Sequence, residues 1–561
     1  MPTPPQSAAP AEHPIPGRRG PFLRTVLTLA LPAAGTALLL FLAFPPADLG
    51  PLAFVAFVPL LLAVRRAATY RGALLCGAVA ALAYLAAFAW VASVAVLGWL
   101  ALAAYVGAYT VAAASAIRCF QRRFPVAWPL PAALLWTGLE FLRASVGPGF
   151  PWLFLGYTQY RFNALVQVAC WGGVFGLSFV VFFVNAALAG VIAPPAAEAR
   201  HPGCRWLMLL AAGTLLATCA GYGAVTRGRL TVEDGPVVGV VQQNFPRRVA
   251  EIFGEPKSED EVYDAVDAEI RKAAELSLGL RADRPELIVW PETTVGVPLN
   301  VAPELFRRPR ERETLMETLR LFRQIGDEVG SHVLVGAPCY FPRSAGYVET
   351  LLYGTDVTDF ANSAVLYSPD AAFVDRYDKI RLVPFGEYVP FSNVLPFLQA
   401  LTPLTRQLTP GPEEVVFSLP QADGEAVRFG ALICYEDVFP ALTRAFRRKG
   451  AEFLVNLTDE GWYWIPGELR QHLAMAVFRA IETRTTVVRA ANTGISCFIN
   501  PRGEVFAKLA PHAEGALSAP VQLCDARPPY VRWGDLFGAA CLAASAVLGG
   551  LLLVRSRRKA D

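Results

Sequence analysis

Glu292, Lys379 and Cys434 follow one another through the one long polar stretch of an otherwise apolar chain, each at a strand-to-turn junction. Their settings are Leu287-Ile288-Val289-Trp290-Pro291-Glu292, Tyr377-Asp378-Lys379 and Leu432-Ile433-Cys434-Tyr435-Glu436. A thiol forms acyl intermediates more readily than other side-chain nucleophiles. A carboxylate can take its proton, and an ammonium stabilises both thiolate and oxyanion. The set points to covalent acyl chemistry. Each residue also has a plainer reading: a solvated turn glutamate, a surface lysine among Asp375, Arg376 and Arg381, and a small buried cysteine. It is the combination that favours function.

The neighbours sharpen each role. Pro291 ends a buried run and presents Glu292 at its edge, where a partly dry cleft would raise the carboxyl from its usual value of about 4.3 towards that of a useful base. Glu387 lies within the apolar loop Leu382-Val383-Pro384-Phe385-Gly386-Glu387-Tyr388-Val389-Pro390-Phe391 and needs a partner, for which Lys379 is placed. Cys434 ends a strand over 429–434 and precedes a helical pattern over 439–448. A helix N-terminus there would lower the thiol from about 8.5 and offer N–H groups to an oxyanion. His472, beside Gln471, offers an alternative Cys–His pairing, or simply caps and packs.

Around these residues, short apolar runs alternate with amphipathic helical patterns. Strands are predicted at 236–242, 286–290, 332–336, 362–367, 428–434, 452–457, 486–490 and 496–500, and helices near 259–278, 310–329, 439–449 and 468–483. Strands followed by helices imply an α/β layered domain over 225–530 whose strand ends meet in one cleft.

The rest of the chain belongs to a membrane. With 54% hydrophobic and 17% charged residues and a mean hydropathy of +0.38, the 561 residues exclude an ordinary soluble protein. The net charge of +3 is not gathered on one basic face, so nucleic acid is not an expected partner. Apolar runs near 25–45, 72–94, 96–116, 164–194, 204–223 and 533–554 are each long enough to span. Shorter or interrupted runs at 51–64 and 124–143, the latter holding Glu140, bring the count to about eight transmembrane helices. Arginines at 18, 19, 24, 65, 66, 71, 118, 122, 123, 200, 205, 555, 557 and 558, with Lys559, then fall on one side; Arg143 and Arg161 are exceptions. That places both termini in the cytoplasm and 225–530 across the membrane, the periplasm in a bacterium. Residues 1–20 read as a disordered cytoplasmic tail, 21–224 as helices one to seven, and 531–561 as helix eight and a tail.

Ten cysteines show neither C-x-x-C pairs nor zinc-ligand spacing, so no metal site is expected. An oxidising space leaves open a disulfide among Cys339, Cys497 and Cys524, and spacing does not choose a pairing.

The three junctions together resemble the carbon–nitrogen hydrolase, or nitrilase, superfamily over about 235–520. The superfamily carries a Glu-Lys-Cys trio on an α-β-β-α sandwich. With the multi-span frame and the run from Tyr377 to Pro390, the whole chain is similar to the bacterial apolipoprotein N-acyltransferases. The resemblance implies Glu292 as general base, Lys379 as stabilising cation and Cys434 as nucleophile. It also implies that Glu387 supports the lysine and that Tyr435 and Glu436 shape the cleft. Trp152, in Gly149-Phe150-Pro151-Trp152-Leu153, and Phe385, Tyr388 and Trp462 are implied substrate contacts. Further matches are Asn362, Asn456, Gln471, His472, Arg479, Arg489 and Asn492-Thr493-Gly494. One departure follows Asn456. Where the family usually shows Asn-Asp-Ala-Trp-Phe-Gly, this chain has Asp459-Glu460-Gly461-Trp462-Tyr463-Trp464 and then Ile465-Pro466, which bears on loop shape and acceptor fit.

The implied reaction moves an acyl chain from a phospholipid, through a Cys434 thioester, to the amine of a diacylglyceryl-cysteine lipoprotein, without metal or organic cofactor. Its setting is the bacterial inner membrane. A tethered amidase of small amides and a non-catalytic lipoprotein-binding scaffold are the alternatives.

Overall fold

The apolar runs fold as a helical bundle on which a two-sheet domain is seated. The computed structural model describes residues 25–194, 203–245, 258–306, 308–341, 359–401, 407–421, 424–463 and 467–557. The expected tail 1–20, Arg24, Arg200, Arg558, Lys559 and Trp464-Ile465-Pro466 lie outside them.

Among the described residues, five helices are long and apolar enough to cross a membrane. They are α1 (Val26–Ala43), α3 (Tyr70–Ala87), α4 (Val96–Arg123), α6 (Ala169–Ile192) and α7 (Gly203–Arg229). Three further expected spans are helical without meeting that measure: the shorter α2 (Val58–Arg66) and α5 (Pro129–Ser145), and α12 (Leu536–Arg557), whose apolar part is Leu536–Leu552. The 51–64 run is interrupted because Gly50–Phe54 forms a separate 3-10 turn before α2. At about 1.5 Å per residue, α2 alone is too short for a bilayer. Glu140 in α5 is buried, yet its Oε1 accepts from the Trp136 indole at 3.0 Å and the Leu155 amide at 2.8 Å. A carboxyl that looked foreign to an apolar helix thus has two donors on one of its oxygens.

The polar stretch forms two six-stranded mixed sheets. Sheet I has the order β12-β1-β2-β3-β4-β5, with β1 (Glu233–Gln242), β2 (Leu287–Val289), β3 (His332–Phe341), β4 (Asp359–Tyr367), β5 (Phe373–Asp378) and β12 (Gly515–Leu523). Sheet II has the order β11-β10-β9-β8-β7-β6, with β6 (Val416–Pro420), β7 (Ala426–Ile433), β8 (Phe453–Thr458), β9 (Thr486–Ala491), β10 (Cys497–Ile499) and β11 (Val505–Lys508). In each sheet the central three strands are parallel, β1-β2-β3 and β7-β8-β9, so their C-terminal ends open on the same side.

Side-chain alternation makes the layers. Val238, Val240, Leu287, Val289 and Leu334 share one core with Ala431, Val455 and Val488 of sheet II. Their neighbours Val241, Ile288, Trp290 and Val335 pack instead against Ile270 of α8 (Glu259–Leu278) and Phe322 and Ile325 of α9 (Pro309–Val329). Sheet II is covered by α10 (Pro440–Arg448) and α11 (Gly467–Thr483). The order is α-β-β-α.

Helix α11 is buried along nearly its whole length because it has two neighbours, sheet II and membrane helix α6. Tyr157, between α5 and α6, meets Phe478 of α11 edge-on at 5.0 Å. The Glu482 carboxylate accepts from the Val174 amide at 3.0 Å, just where α6 breaks at Gly173 (φ 59°, ψ −163°). A residue of the domain therefore caps a membrane helix.

Cys339, Cys497 and Cys524 are three separate free thiols, so the disulfide left open by the sequence is not formed.

Candidate active site

Three strand ends converge. Glu292 follows β2, Lys379 follows β5 and Cys434 follows β7. The backbone at Glu292 is crossed closely by β3: a Cβ added to Gly336 would lie 2.5 Å from Glu292 Cα, so only glycine lets the two chains pass. Lys379 is 1% exposed and Glu292 7%, which removes the surface reading of both.

One lysine joins two carboxylates. Lys379 Nζ donates to Glu292 Oε1 at 3.1 Å and to Glu387 Oε1 at 2.7 Å. Asn362 Nδ2 bridges the same oxygens at 2.7 and 3.2 Å. The second oxygen of Glu292 accepts from the Asp459 amide at 2.9 Å, and that of Glu387 from the Val383 amide at 2.8 Å. Both carboxylates are therefore oriented from both ends. The Lys379 carbonyl and amide are tied as well, to the Gly411 amide and the Asn362 carbonyl, each at 2.8 Å.

Cys434 is half-buried and holds φ +51°, a left-handed backbone that a non-glycine residue adopts only when its surroundings enforce it. Glu436 enforces it. Its Oε2 accepts from the Ile433 amide at 2.8 Å, and its Oε1 accepts from Tyr377 Oη at 2.8 Å and from the Ile380 and Arg381 amides at 2.7 and 2.9 Å. A single buried carboxylate thus pins the turn after Lys379 to the turn bearing Cys434. The expectation of an α-helix N-terminus at the thiol is corrected here: Cys434–Val438 is a 3-10 turn, and α10 begins only at Pro440.

Charge follows from this burial. Desolvation lifts the Cys434 thiol well above its ordinary value, Glu292 adds to the rise, and Lys379 opposes it. Burial also raises Glu292, against the pull of Lys379 and with the push of Glu387 and Asp459. Burial disfavours the Lys379 charge, but Glu292, Glu387 and the thiol hold it well above the usual lysine range. The arrangement suits a protonated thiol beside a base and a permanent cation.

A second charged cluster lies beneath the Cys434 turn. His472 Nε2 meets Asp437 Oδ1 at 2.5 Å and its Nδ1 meets Glu460 Oε1 at 2.7 Å. Arg489 donates to both Asp437 and Glu460, and Asn456 to Asp437. His472 is thereby excluded as a direct partner of the thiol, since both ring nitrogens face carboxylates. Burial works against its charge, but Asp437 holds it well above the ordinary histidine range. Glu460, Glu468 and His472 present ligand atoms within 4.8 Å of one another, and Arg489 already supplies a cation there. The departure after Asn456 is absorbed by this cluster: Glu460 enters the ion network, and its Oε2 stands 1.6 Å from where a Gly494 Cβ would be.

The membrane helices complete the site wall. Trp152 stacks on Tyr435 with ring centroids 6.3 Å apart, and the Tyr435 hydroxyl is buried with no hydrogen-bond partner among the described residues. Gln471 Oε1 accepts from the Trp152 and Trp90 indoles at 2.8 and 3.1 Å, while its amide donates to the Pro45 and Ala87 carbonyls, both at 3.0 Å. Arg143, one of the two charge-rule exceptions, donates to the Trp152 carbonyl at 2.7 Å; the other, Arg161, pairs with Asp48 at 2.8 Å.

Comparison with known proteins separates the two halves of this assembly and then rejoins them. Residues 36–187 match the apolipoprotein N-acyltransferase N-terminal domain, and 248–528 match the carbon–nitrogen hydrolase family. An apolipoprotein N-acyltransferase of Geobacter metallireducens is 36% identical over 426 residues, 75% of this chain and 74% of that protein. The chain belongs to the apolipoprotein N-acyltransferase family. Relatives of the same name from Treponema pallidum and Chlorobaculum tepidum are 28% and 29% identical over 80% and 76% of this chain, and over 80% and 77% of their own lengths. Among solved structures, an amidase from Nesterenkonia sp. is 17% identical, covers 54% of this chain and 95% of its own, and has a TM-score of 0.34.

In this family member the remaining expected contacts are at least partly exposed. Phe385 has φ +63° and is 47% exposed, Tyr388 is half-buried, and Trp462 is half-buried on the 3-10 turn Glu460–Trp462. Sequence reasoning missed Trp90 and Asp437, and met Tyr463 only as part of the departure after Asn456. Tyr463 meets Trp90 edge-on at 4.6 Å, an aromatic pair between domain and membrane helix that only the fold brings together. Asp437 carried one signal, an acid three residues after a candidate nucleophile.

Proposed function

We propose that this protein is an N-acyltransferase working in two half-reactions through Glu292, Lys379 and Cys434. In the first, Cys434 Sγ attacks the ester carbonyl of a membrane phospholipid. The C–S bond forms, the thiol proton passes to Glu292, and Lys379 Nζ, with two of its three protons engaged by carboxylates, offers the third to the oxyanion. Collapse breaks the C–O bond, and Glu292 returns the proton to the departing lysophospholipid. In the second, the amine of a diacylglyceryl-cysteine attacks the thioester carbonyl: the C–N bond forms, the amine proton passes to Glu292, the C–S bond breaks, and Glu292 returns that proton to the leaving sulfur, restoring thiol and carboxylate. Thioesters suit this task because amines attack them faster than water does.

The observation that carries the reading is Trp152 stacked on Tyr435. A loop of the membrane bundle forms part of the wall beside the nucleophile, so the donor is a molecule that the bundle presents. Exposed Phe385, Phe391, Val394 and Phe397 extend an apolar rim from the Lys379 loop. On this reading the chain crosses a bacterial inner membrane about eight times, with the two-sheet domain in the periplasm.

The test supplies full-length protein with acyl-labelled phospholipid and a diacylglyceryl-cysteine peptide. Label on the peptide amine, with one lysophospholipid released per transfer, is expected. Ammonia released from small amides, with no lysophospholipid, would replace this proposal with the amidase reading.

A further inference from the structure

At the far end of α10 from the Cys434 turn lies a basic groove that the acyl chemistry does not use. The chain re-enters the bundle through the helical turn Pro529–Trp533, and α12 begins at Leu536. Trp533 is 50% exposed, with its ring 6.0 Å from that of Trp171, itself 47% exposed at the start of α6. The Trp171 indole donates to Tyr222 of α7 at 2.8 Å. Three aromatic residues on three elements thus share one level, the position of interfacial anchors.

Beside them is a groove of about 500 Å³ lined by Arg447, Arg448, Arg527, Pro529, Arg532 and Trp533. Arg447 is a strut, donating to the Ala451 and Cys524 carbonyls at 3.0 and 2.7 Å. Arg448, Arg527 and Arg532 differ: all three are exposed, and among the described residues none has a carboxylate within salt-bridge distance. Of the nearby acids, Asp535 accepts from Tyr530, and Asp525 and Glu452 act on Arg447 at a distance without a salt bridge to any of the three.

Their place along the chain is the second observation. Arginines close to a span normally gather at its cytoplasmic end. Arg527 and Arg532 lie just before α12, at the end opposite Arg555 and Arg557. Three uncompensated guanidinium groups at that end repel one another unless an anion lies among them. A phosphodiester fits, because guanidinium forks match phosphate oxygens and Trp533 can rest against the glycerol and first methylenes.

We propose that this groove holds the headgroup of an anionic phospholipid of the outward-facing leaflet, as a lipid site separate from the one that donates acyl chains. The bound lipid seats the two-sheet domain against the membrane surface through α10 and the Pro529–Trp533 turn.

The test is native mass spectrometry of the full-length protein in detergent with phosphatidylglycerol and phosphatidylethanolamine. Wild type is expected to retain phosphatidylglycerol roughly tenfold or more in preference. The combined Arg448→Gln, Arg527→Gln, Arg532→Gln variant is expected to lose that preference, with acyl transfer at saturating donor unchanged. Arg527→Glu alone, with an unchanged unfolding temperature, is expected to weaken it about threefold. Equal retention of both lipids by wild type, or an unaltered preference in either variant, overturns the proposal. Displacement of phosphatidylglycerol by inorganic phosphate, or preferential binding of an acidic peptide, assigns the groove to another ligand and overturns it equally.

Discussion

Lys379 does two jobs at once. Its charge opposes the rise of the Cys434 thiol, and it is hydrogen-bonded to two carboxylates, buried Glu292 and half-buried Glu387. Removing one member of such a set costs more than the set contributes, because buried charge is left without compensation. Lys379→Met is expected to destabilise the protein by about 3–5 kcal/mol and to reduce Cys434 acylation by three orders of magnitude or more. Adding Glu387→Gln is expected to restore part of the stability and none of the rate, as read by denaturant unfolding and single-turnover acylation. The same residue shows where sequence reasoning stops. Its neighbours Asp375, Arg376 and Arg381 give it the look of a surface lysine, while its burial depends on Glu292, 87 positions earlier in the chain. The Glu387–Lys379 contact was legible because a carboxylate inside an apolar loop announces its need for a partner locally. The members of the Asp437–His472–Glu460–Arg489 cluster gave only separate signals, His472 beside Gln471 and Asp437 as an acid after Cys434, and it is the convergence of β8, β9 and α11 that unites them.

Helix α11 is the element on which the two halves of the molecule depend. Its 3.6-residue pattern was legible, as were those of α8, α9 and α10, each within a residue or two of expectation. Strands β5, β6, β11 and β12 were not, because they lie at or near sheet edges with half-exposed or polar faces and lack a continuous apolar run. What the helical pattern did not disclose was that α11 has no solvent face. Burial raises Glu468 and Glu482 each to about 7, and His472 is held well above its ordinary value. Groups with raised values stabilise the fold fully below their unfolded values and lose that contribution as pH rises through the folded ones. Thermal stability is therefore expected to fall between about pH 4.5 and 7 from the two carboxyls, with His472 adding a decline above about pH 6.5. Asp437 and Glu460, held low, act oppositely and only on the acid side. Unfolding temperatures measured from pH 5 to 8 check this, and Glu468→Gln should flatten the slope. A stability that climbs over this range would contradict the assigned charges.

At the scale of the whole molecule, bundle and domain are one structure. Gln471 satisfies two indoles and two carbonyls across the boundary, Glu482 caps α6, and Tyr157 packs on Phe478. A polypeptide of residues 225–530 alone would expose the bundle-facing side of α11, and it is expected to associate in detergent-free buffer. Sedimentation of that fragment as a stable monomer would show that the domain stands by itself. The family and its two-part architecture were readable from the run Tyr377–Pro390 and the hydropathy profile. The contribution of the bundle to the wall beside Cys434 was only partly readable, through Trp152. On the proposed mechanism these parts serve a thioester on one sulfur. Full-length protein incubated with phospholipid and no acceptor, then digested and weighed, tests it directly: one acyl mass on the Cys434 peptide, absent in Cys434→Ala and greatly slowed in Glu292→Gln, is the expected result. An unmodified Cys434 peptide, or acyl mass on another cysteine, would contradict it.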